Sequence, residues 1–182
     1  MKKALLFAII CLIAGLINTQ AQEARYGIRA GINISSISSD DIPEDLEDNR
    51  IGVVVGFLAE FALTEKLGIQ PELQYSSQGN KDDNLRVNYL QLPVVLKYNF
   101  TDIFNVQLGP QAGIKIWEYE NNENYNTFDF AVVGGIGVNI TDNFFVDARY
   151  ALGLSNVFDD EGLPTSIDGN SRNIQISVGY RL

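Results

Sequence analysis

The sequence predicts an all-β fold, an eight-stranded antiparallel up-and-down transmembrane β-barrel. From Arg25 onward, apolar residues recur with a period of two rather than 3.6, which is typical of strands. Eight alternating runs follow one another, and each has about the length that a tilted strand needs to cross a bilayer. Short and long connections alternate between the runs, as they do in outer-membrane barrels.

The eight runs share one design, an apolar face opposite a face of small and polar residues. They span 26–34, 51–63, 67–76, 89–100, 106–116, 128–140, 144–153 and 174–182. Three connections are short and open with threonine: Thr64-Glu65-Lys66, Thr101-Asp102-Ile103 and Thr141-Asp142-Asn143. The other four are longer and acidic: 36–50, 78–84, 118–126 and 155–171. This asymmetry predicts turns in the periplasm and loops outside the cell.

Alternation alone also fits a soluble barrel with an apolar interior, so the direction of the two faces needs separate evidence. No charged residue occupies the apolar face of any run, where Lys or Arg would cost about 2–4 kcal/mol at the bilayer midplane. Aromatic residues crowd the strand ends beside the short turns, where an interfacial girdle belongs. They are Phe61, Tyr98, Phe100, Phe104 and Phe144. The pattern favours a membrane barrel with its apolar face toward lipid.

The polar face mixes small residues with charges of both signs, which suits a narrow and crowded lumen. Because eight strands leave an interior only wide enough for side chains, we expect these charges to form a structural network rather than a functional gate. A general diffusion pore is therefore disfavoured. The predicted network consists of Arg29, Glu60, Glu72, Lys97, Lys115, Asp129, Asp147, Arg149 and Arg181.

Proline occurs inside three runs, at Pro71, Pro93 and Pro110. Each proline removes one donor from a ladder of hydrogen bonds, and a closed barrel has no free edge where that loss would be harmless. We therefore expect β-bulges or positions at the rim of the barrel for all three.

The N-terminus has the order of a cleaved secretory signal. Basic Met1-Lys2-Lys3 precedes an apolar run over residues 4–17, which is shorter than a membrane-spanning helix. Cleavage is predicted after Ala21, so residues 1–21 form the signal peptide and residues 22–182 the barrel domain. A retained anchor is the less favoured alternative. A lipoprotein site at Cys11 is disfavoured because Cys11 lies inside the apolar run.

Composition excludes several classes of function. The 182 residues carry 13 Lys plus Arg against 23 Asp plus Glu, a net charge of −10, which argues against nucleic acid as a partner. There is no His and only one Cys, so catalysis through an imidazole and a Cys/His zinc site are excluded. Paired carboxylates could still act as acid and base, but the acidic residues cluster in loops. We predict neither enzymatic activity nor a cofactor.

The first long connection could bind calcium, since residues 40–48 contain six carboxylates. It lacks the glycine and the spacing of an EF-hand loop, so a solvated acidic loop is the expectation and no metal site is predicted.

Four segments resemble those of PorT-like outer-membrane β-barrel proteins, often labelled porin family. The first, over 89–98, reads YLQLPVVLKY and resembles the Tyr-Leu-x-Leu/Ile-Pro-x-x-x-Lys strand of that family. The others, LGPQAG (108–113), VGGIG (133–137) and DARYALGLSN (147–156), are similar to its later strands in the same order. The resemblance implies an eight-stranded barrel in a Gram-negative outer membrane. It implies little about activity, although PorT itself is tied to protein secretion. The final Leu182 departs from the Phe that commonly ends such chains.

Together these features predict a small integral outer-membrane protein with a plugged polar lumen and a structural or interaction role through acidic loops. The alternatives are a narrow porin-like channel for small solutes or ions and an accessory barrel of a protein secretion system. Expected partners are outer-membrane lipid and lipopolysaccharide, the barrel-insertion machinery and another envelope protein, with the chain itself monomeric.

Overall fold

The computed structural model describes residues 24–38, 49–79, 86–118, 127–155 and 170–182. These residues form eight strands: β1 (Ala24–Ser38), β2 (Arg50–Ala62), β3 (Leu67–Gly79), β4 (Arg86–Asn99), β5 (Phe104–Glu118), β6 (Phe128–Asn139), β7 (Phe144–Gly153) and β8 (Asn170–Arg181). The predicted signal peptide and the acidic segment 40–48 lie outside the described residues. Among those residues, no helix is long and apolar enough to cross a membrane.

The strands form one closed antiparallel barrel in which each strand pairs with its neighbour in sequence. β8 returns to β1 through a ladder that runs from Gly27 opposite Arg181 to Ser38 opposite Asn170. Closure gives every strand two neighbours, so the sheet has no free edge. The predicted eight-stranded up-and-down barrel is confirmed.

The three short turns have the same hydrogen bonding, and their recurring threonine explains it. The side-chain Oγ1 of Thr64 accepts the backbone N–H of Lys66 at 3.3 Å and that of Leu67 at 2.9 Å. Thr101 and Thr141 accept the corresponding two donors in their own turns, at 2.9–3.3 Å. Each threonine therefore holds the last residue of its turn and the first residue of the next strand in place.

The two faces of the barrel wall differ as the sequence predicts. Apolar side chains point outward; Phe57, Leu108 and Ile136 are each more than 60% exposed. Charged side chains point inward; Arg29 and Arg149 are 2% exposed. This is the reverse of a soluble protein, in which apolar side chains are buried and charges face water. The strands are 10 to 15 residues long, enough for tilted strands to cross a bilayer.

Aromatic side chains form an exposed band at the short-turn end of the barrel. The Tyr98 and Phe100 rings meet edge to face with centroids 5.0 Å apart, and Phe144 and Tyr180 meet similarly at 4.8 Å. Phe104 is also exposed beside its turn. The band stands where a membrane barrel carries an interfacial girdle.

The prediction that the prolines lie at bulges or at the rim is wrong. Pro71, Pro93 and Pro110 lie well inside β3, β4 and β5. Beside each proline, two residue pairs are missing from one ladder, and the pairing then resumes in the same register. The register shift in the described ladders falls elsewhere, between Asn88 and Tyr89. The lost donor thus interrupts the ladder locally, while the flanking pairs hold the strands in register.

Candidate functional site

The interior of the barrel is the candidate site, because it gathers the buried polar and charged side chains of all the strands. Alternate residues of each strand point into the interior. The period-two pattern of the sequence therefore determines which residue types line it. The inward side chains belong mainly to Arg, Lys, Glu, Asp, Gln, Asn and Ser.

Four charged residues from three strands meet near the middle of the barrel. Arg149 on β7 donates to both carboxylate oxygens of Glu72 on β3, at 3.0 and 2.7 Å. Arg29 on β1 donates to Glu72 Oε2 and to Asp147 Oδ1, both at 2.8 Å. Arg149 also lies 3.5 Å from Asp147 Oδ2. We call Arg29, Glu72, Asp147 and Arg149 the central quartet; its two positive and two negative charges balance.

Neutral side chains add hydrogen bonds to the central quartet, while Arg29 Nε, Arg149 Nε and Asp147 Oδ2 have no hydrogen-bond partner among the described residues. Ser177 Oγ accepts from Arg29 at 2.7 Å, and Gln70 Nε2 donates to Glu72 Oε1 at 2.6 Å. The side chains of the quartet itself have at most 1% of their surface exposed. The charges are therefore paired and hydrogen-bonded where water does not reach, the condition under which buried ions are tolerated.

A second cluster lies closer to the short turns. Glu60 Oε2 accepts from Lys97 Nζ and from Arg181 Nε, both at 3.0 Å. Arg181 also donates to Asn139 Oδ1 at 2.9 Å. The Phe145 ring lies beneath both cations, 4.5 Å from the Arg181 guanidinium carbon and 5.7 Å from Lys97 Nζ, within cation–π range.

The last two predicted network residues lie toward the long-loop end. Asp129 on β6 is buried and its Oδ1 accepts from Ser155 Oγ at 3.1 Å. Lys115 is half-buried on β5 and pairs across the ladder with Tyr89. All nine predicted residues thus lie on inward-facing positions. Seven of them form the two clusters.

A layer of amide side chains is the part of the interior that the sequence prediction missed. Gln74, Gln91 and Gln175 are at most 2% exposed, and within the described ranges their amide atoms have no hydrogen-bond partner. Gln74 and Gln91 stand opposite each other on β3 and β4. The signal was present, since glutamine recurs on the polar face of several runs, but the prediction considered only charged groups.

Phe145 is a further inward residue whose role the sequence did not reveal. It stands opposite Gly179 on β8, and a Cβ atom at Gly179 would collide with its ring. Glycine therefore makes the space into which the aromatic ring packs below the cations, a known device for covering a glycine in a strand.

The interior offers few means for other chemistry. Among the residues that the structure describes, no group of three or more His, Cys, Asp and Glu is placed to hold a metal ion. The hydrogen bonds that the central quartet makes run within the quartet and to Ser177 and Gln70.

A closed barrel with apolar side chains outside and paired charges inside is a membrane-spanning β-barrel. Residues 20–159 match the family described as outer membrane protein beta-barrel domain, and the chain belongs to that family. Its location is accordingly the outer membrane.

Solved structures of other outer-membrane proteins share the fold. Ail, the attachment invasion locus protein of Yersinia pestis, is 16% identical with a TM-score of 0.55, over 88% of this chain and 99% of that one. Neisserial surface protein A (NspA) is 13% identical with a TM-score of 0.59, over 88% of this chain and 100% of that one. None of the curated proteins matches the chain.

Proposed function

We propose that this protein is a non-conducting outer-membrane barrel, whose charged interior is a structural plug and whose acidic loops serve a structural or interaction role. The observation that carries the proposal is the central quartet. Its ion pairs join β1, β3 and β7, and β3 and β7 lie on opposite sides of an eight-stranded ring. A chain of ion pairs therefore crosses the path that a solute would take.

The packing of the interior supports the same proposal. Arg29, Lys97, Gln70, Gln74 and Gln91 are among the largest fully buried side chains of the described residues, with almost no surface that water can touch. An eight-stranded barrel has an interior just wide enough for side chains to fill. Conduction would require several of these side chains to move together and the quartet to separate.

The partners follow from the orientation of the barrel. With the short turns in the periplasm, the outward apolar face meets membrane lipid, and the acidic long loops meet ions, lipopolysaccharide or another envelope protein. We propose that the chain is a monomer inserted by the barrel-insertion machinery and that it has no enzymatic activity. The resemblance to PorT-like proteins, over residues 89–98, makes an accessory role in protein secretion a narrower form of this proposal.

A narrow channel is the second candidate, favoured by the amide layer. Gln74, Gln91 and Gln175 have amide atoms without partners among the described residues. A buried amide without a hydrogen-bond partner costs about 1–3 kcal/mol of free energy. Water molecules that hydrogen-bond to these amides would remove that cost, which favours hydration of this part of the barrel. Hydration of the layer would leave the central quartet as the barrier to flow.

Single-channel recording in planar bilayers separates the two candidates. We expect the native barrel to be silent and Glu72→Ala, which removes the shared acceptor of Arg29 and Arg149, to show brief openings. Glu65→Ala, at an exposed turn, is the matched control and should remain silent. Regular conductance steps from the native barrel would contradict the plug and favour the channel.

A further inference from the structure

A polar cavity of about 490 Å³ opens at the short-turn end of the barrel. Residues of all three short turns line it, together with inward side chains from the strand ends. Its volume lies within the range of roughly 300–1,000 Å³ that is usual for sites of small molecules. We call it the mouth cavity; its charged lining residues are Arg25, Glu60, Glu65, Asp102, Asp142 and Arg181.

One side of the mouth cavity presents guanidinium groups. Arg25 is exposed, stands opposite Glu60 in the β1–β2 ladder, and forms no side-chain ion pair or hydrogen bond within the described ranges. Arg181 is buried and paired with Glu60, but its Nη1 makes only a long hydrogen bond, 3.4 Å, to the carbonyl oxygen of Asp142. β1 and β8 are neighbours, so both arginines lie on the same side of the cavity. That side can hold a carboxylate, which arginine binds through two parallel hydrogen bonds.

The turns on the other side of the mouth cavity present carboxylates. Asp102 lies in the turn between β4 and β5, and Asp142 in the turn between β6 and β7; both are exposed. Their carboxylates, too, are without an ion pair among the residues that the structure describes. Because β5 is four strands from β1 in a ring of eight, Asp102 stands across the mouth from Arg25. This side can hold an amine.

The two sides together complement a zwitterion better than a ligand of one charge. A purely anionic ligand would face the carboxylates of three turns, and a purely cationic one would leave the guanidinium of Arg25 unpaired. A ligand with a carboxylate at one end and an amine at the other pairs with both sides. Complementary charges of this kind give a site its specificity and fix the orientation of the ligand.

We propose that the mouth cavity binds a short peptide with a free carboxylate and an amine. The carboxylate lies at Arg25 and Arg181, and the amine at Asp102 and Asp142. The inference rests on the proposed function only for the orientation of the barrel, which makes the peptide a periplasmic one. It does not depend on whether the lumen conducts, since the charged ends of the site belong to the turns and the strand ends.

An NMR titration of the barrel in detergent micelles at low ionic strength tests the proposal with three tripeptides. Acetyl-glycyl-glycyl-lysine has both the carboxylate and the amine, its C-terminal amide lacks the carboxylate, and the norleucine analogue lacks the amine. We expect the first peptide to bind about fivefold more tightly than either of the others, the upper value for an ion pair that water reaches. The shifts should be confined to the three short turns and to the adjoining ends of β1 and β8.

Two variants assign the two ends of the peptide. Arg25→Gln should abolish the preference for the free carboxylate over its amide and keep the preference for lysine over norleucine. Asp102→Asn combined with Asp142→Asn should have the opposite effect. All three side chains are exposed, so the variants should fold, and their NMR spectra without peptide verify this.

Control variants distinguish the mouth cavity from general charge effects. Lys66→Gln removes an exposed cation of the first short turn that does not line the cavity. Asp45→Asn combined with Glu47→Gln removes two carboxylates from the connection between β1 and β2, which joins the opposite ends of those strands. Both controls should keep the two preferences of the native barrel.

Three results would overturn the peptide site: equal affinity of the native barrel for the three peptides, shifts spread over the whole barrel, or an equal loss of preference in the controls. Bilayer recordings keep this inference separate from the proposed function. Conductance of the native barrel would contradict the plug, whereas the peptide preferences are measured without reference to conductance.

Discussion

Arg149 on β7 donates two hydrogen bonds to Glu72 on β3, across the barrel and 77 positions away in sequence. Strands on opposite sides of the ring share no backbone hydrogen bonds. The Arg149–Glu72 pair therefore joins two sides of the barrel that backbone hydrogen bonds do not connect directly. Arg29 on β1 uses the same carboxylate. Glu72 is thus the residue on which the central quartet depends most.

Replacing Glu72 by Ala should destabilise the barrel by about 3–5 kcal/mol, because two buried guanidinium groups lose their shared acceptor. Unfolding by urea in lipid vesicles, followed by circular dichroism, measures the difference. Glu65→Ala, in an exposed turn, is the control and should leave the midpoint unchanged. A Glu72→Ala barrel as stable as the native one would show that the quartet is not a structural plug.

The three turn threonines should stabilise the barrel through their side-chain oxygens. Thr64→Ala, Thr101→Ala and Thr141→Ala each remove an acceptor of two backbone N–H groups, at a cost of about 0.5–1.5 kcal/mol. Thr→Ser at the same positions keeps the oxygen and should cost much less. Equal losses for Ala and Ser would mean that the hydroxyl plays no part.

The contact between Phe145 and Gly179 predicts a compensating pair of substitutions. Gly179→Ala should destabilise the barrel, because the new methyl group meets the Phe145 ring. Phe145→Leu in the same chain should recover part of that loss by making room. The double-mutant cycle is measured by the same urea unfolding, and strictly additive effects would contradict the contact.

A charge on the outer face should be costly in proportion to its depth in the membrane. Ile136→Arg, at an outward position inside β6, should cost about 2–4 kcal/mol in vesicles, whereas Ile103→Arg, in an exposed turn, should cost about 0–1 kcal/mol. Equal costs at the two positions would argue against burial of Ile136 in lipid.

The fold was predictable because alternation shows the strands and their two faces, and because the uncharged apolar face and the aromatic strand ends indicate which face meets lipid. The strand ends were less predictable from the sequence. β1 continues to Ser38, β4 begins at Arg86 and β8 begins at Asn170, all beyond the alternating runs. These ends are polar on both faces, so they show no alternation of apolar and polar residues. The positions of the prolines were mispredicted because the flanking residue pairs keep the strands in register when one backbone donor is lost.

The charged residues of the candidate site were predictable one by one, but the contacts between them were not. Parity along each strand shows that Arg29, Glu72 and Arg149 face inward. Which of them meet depends on the tilt and stagger of the closed barrel, and neither can be derived from a single strand. The same limit explains why the sequence did not show that Asp129 accepts a hydrogen bond from Ser155.

The most direct test of the membrane barrel asks which face of its wall meets lipid. Single cysteines are placed at consecutive positions 174–178 of β8 in the chain lacking Cys11, labelled with a fluorophore and reconstituted with brominated lipid. We expect strong quenching at 174, 176 and 178, whose native side chains are exposed, and weak quenching at the buried 175 and 177. The opposite alternation, or a folded monodisperse protein in buffer without detergent, would contradict it.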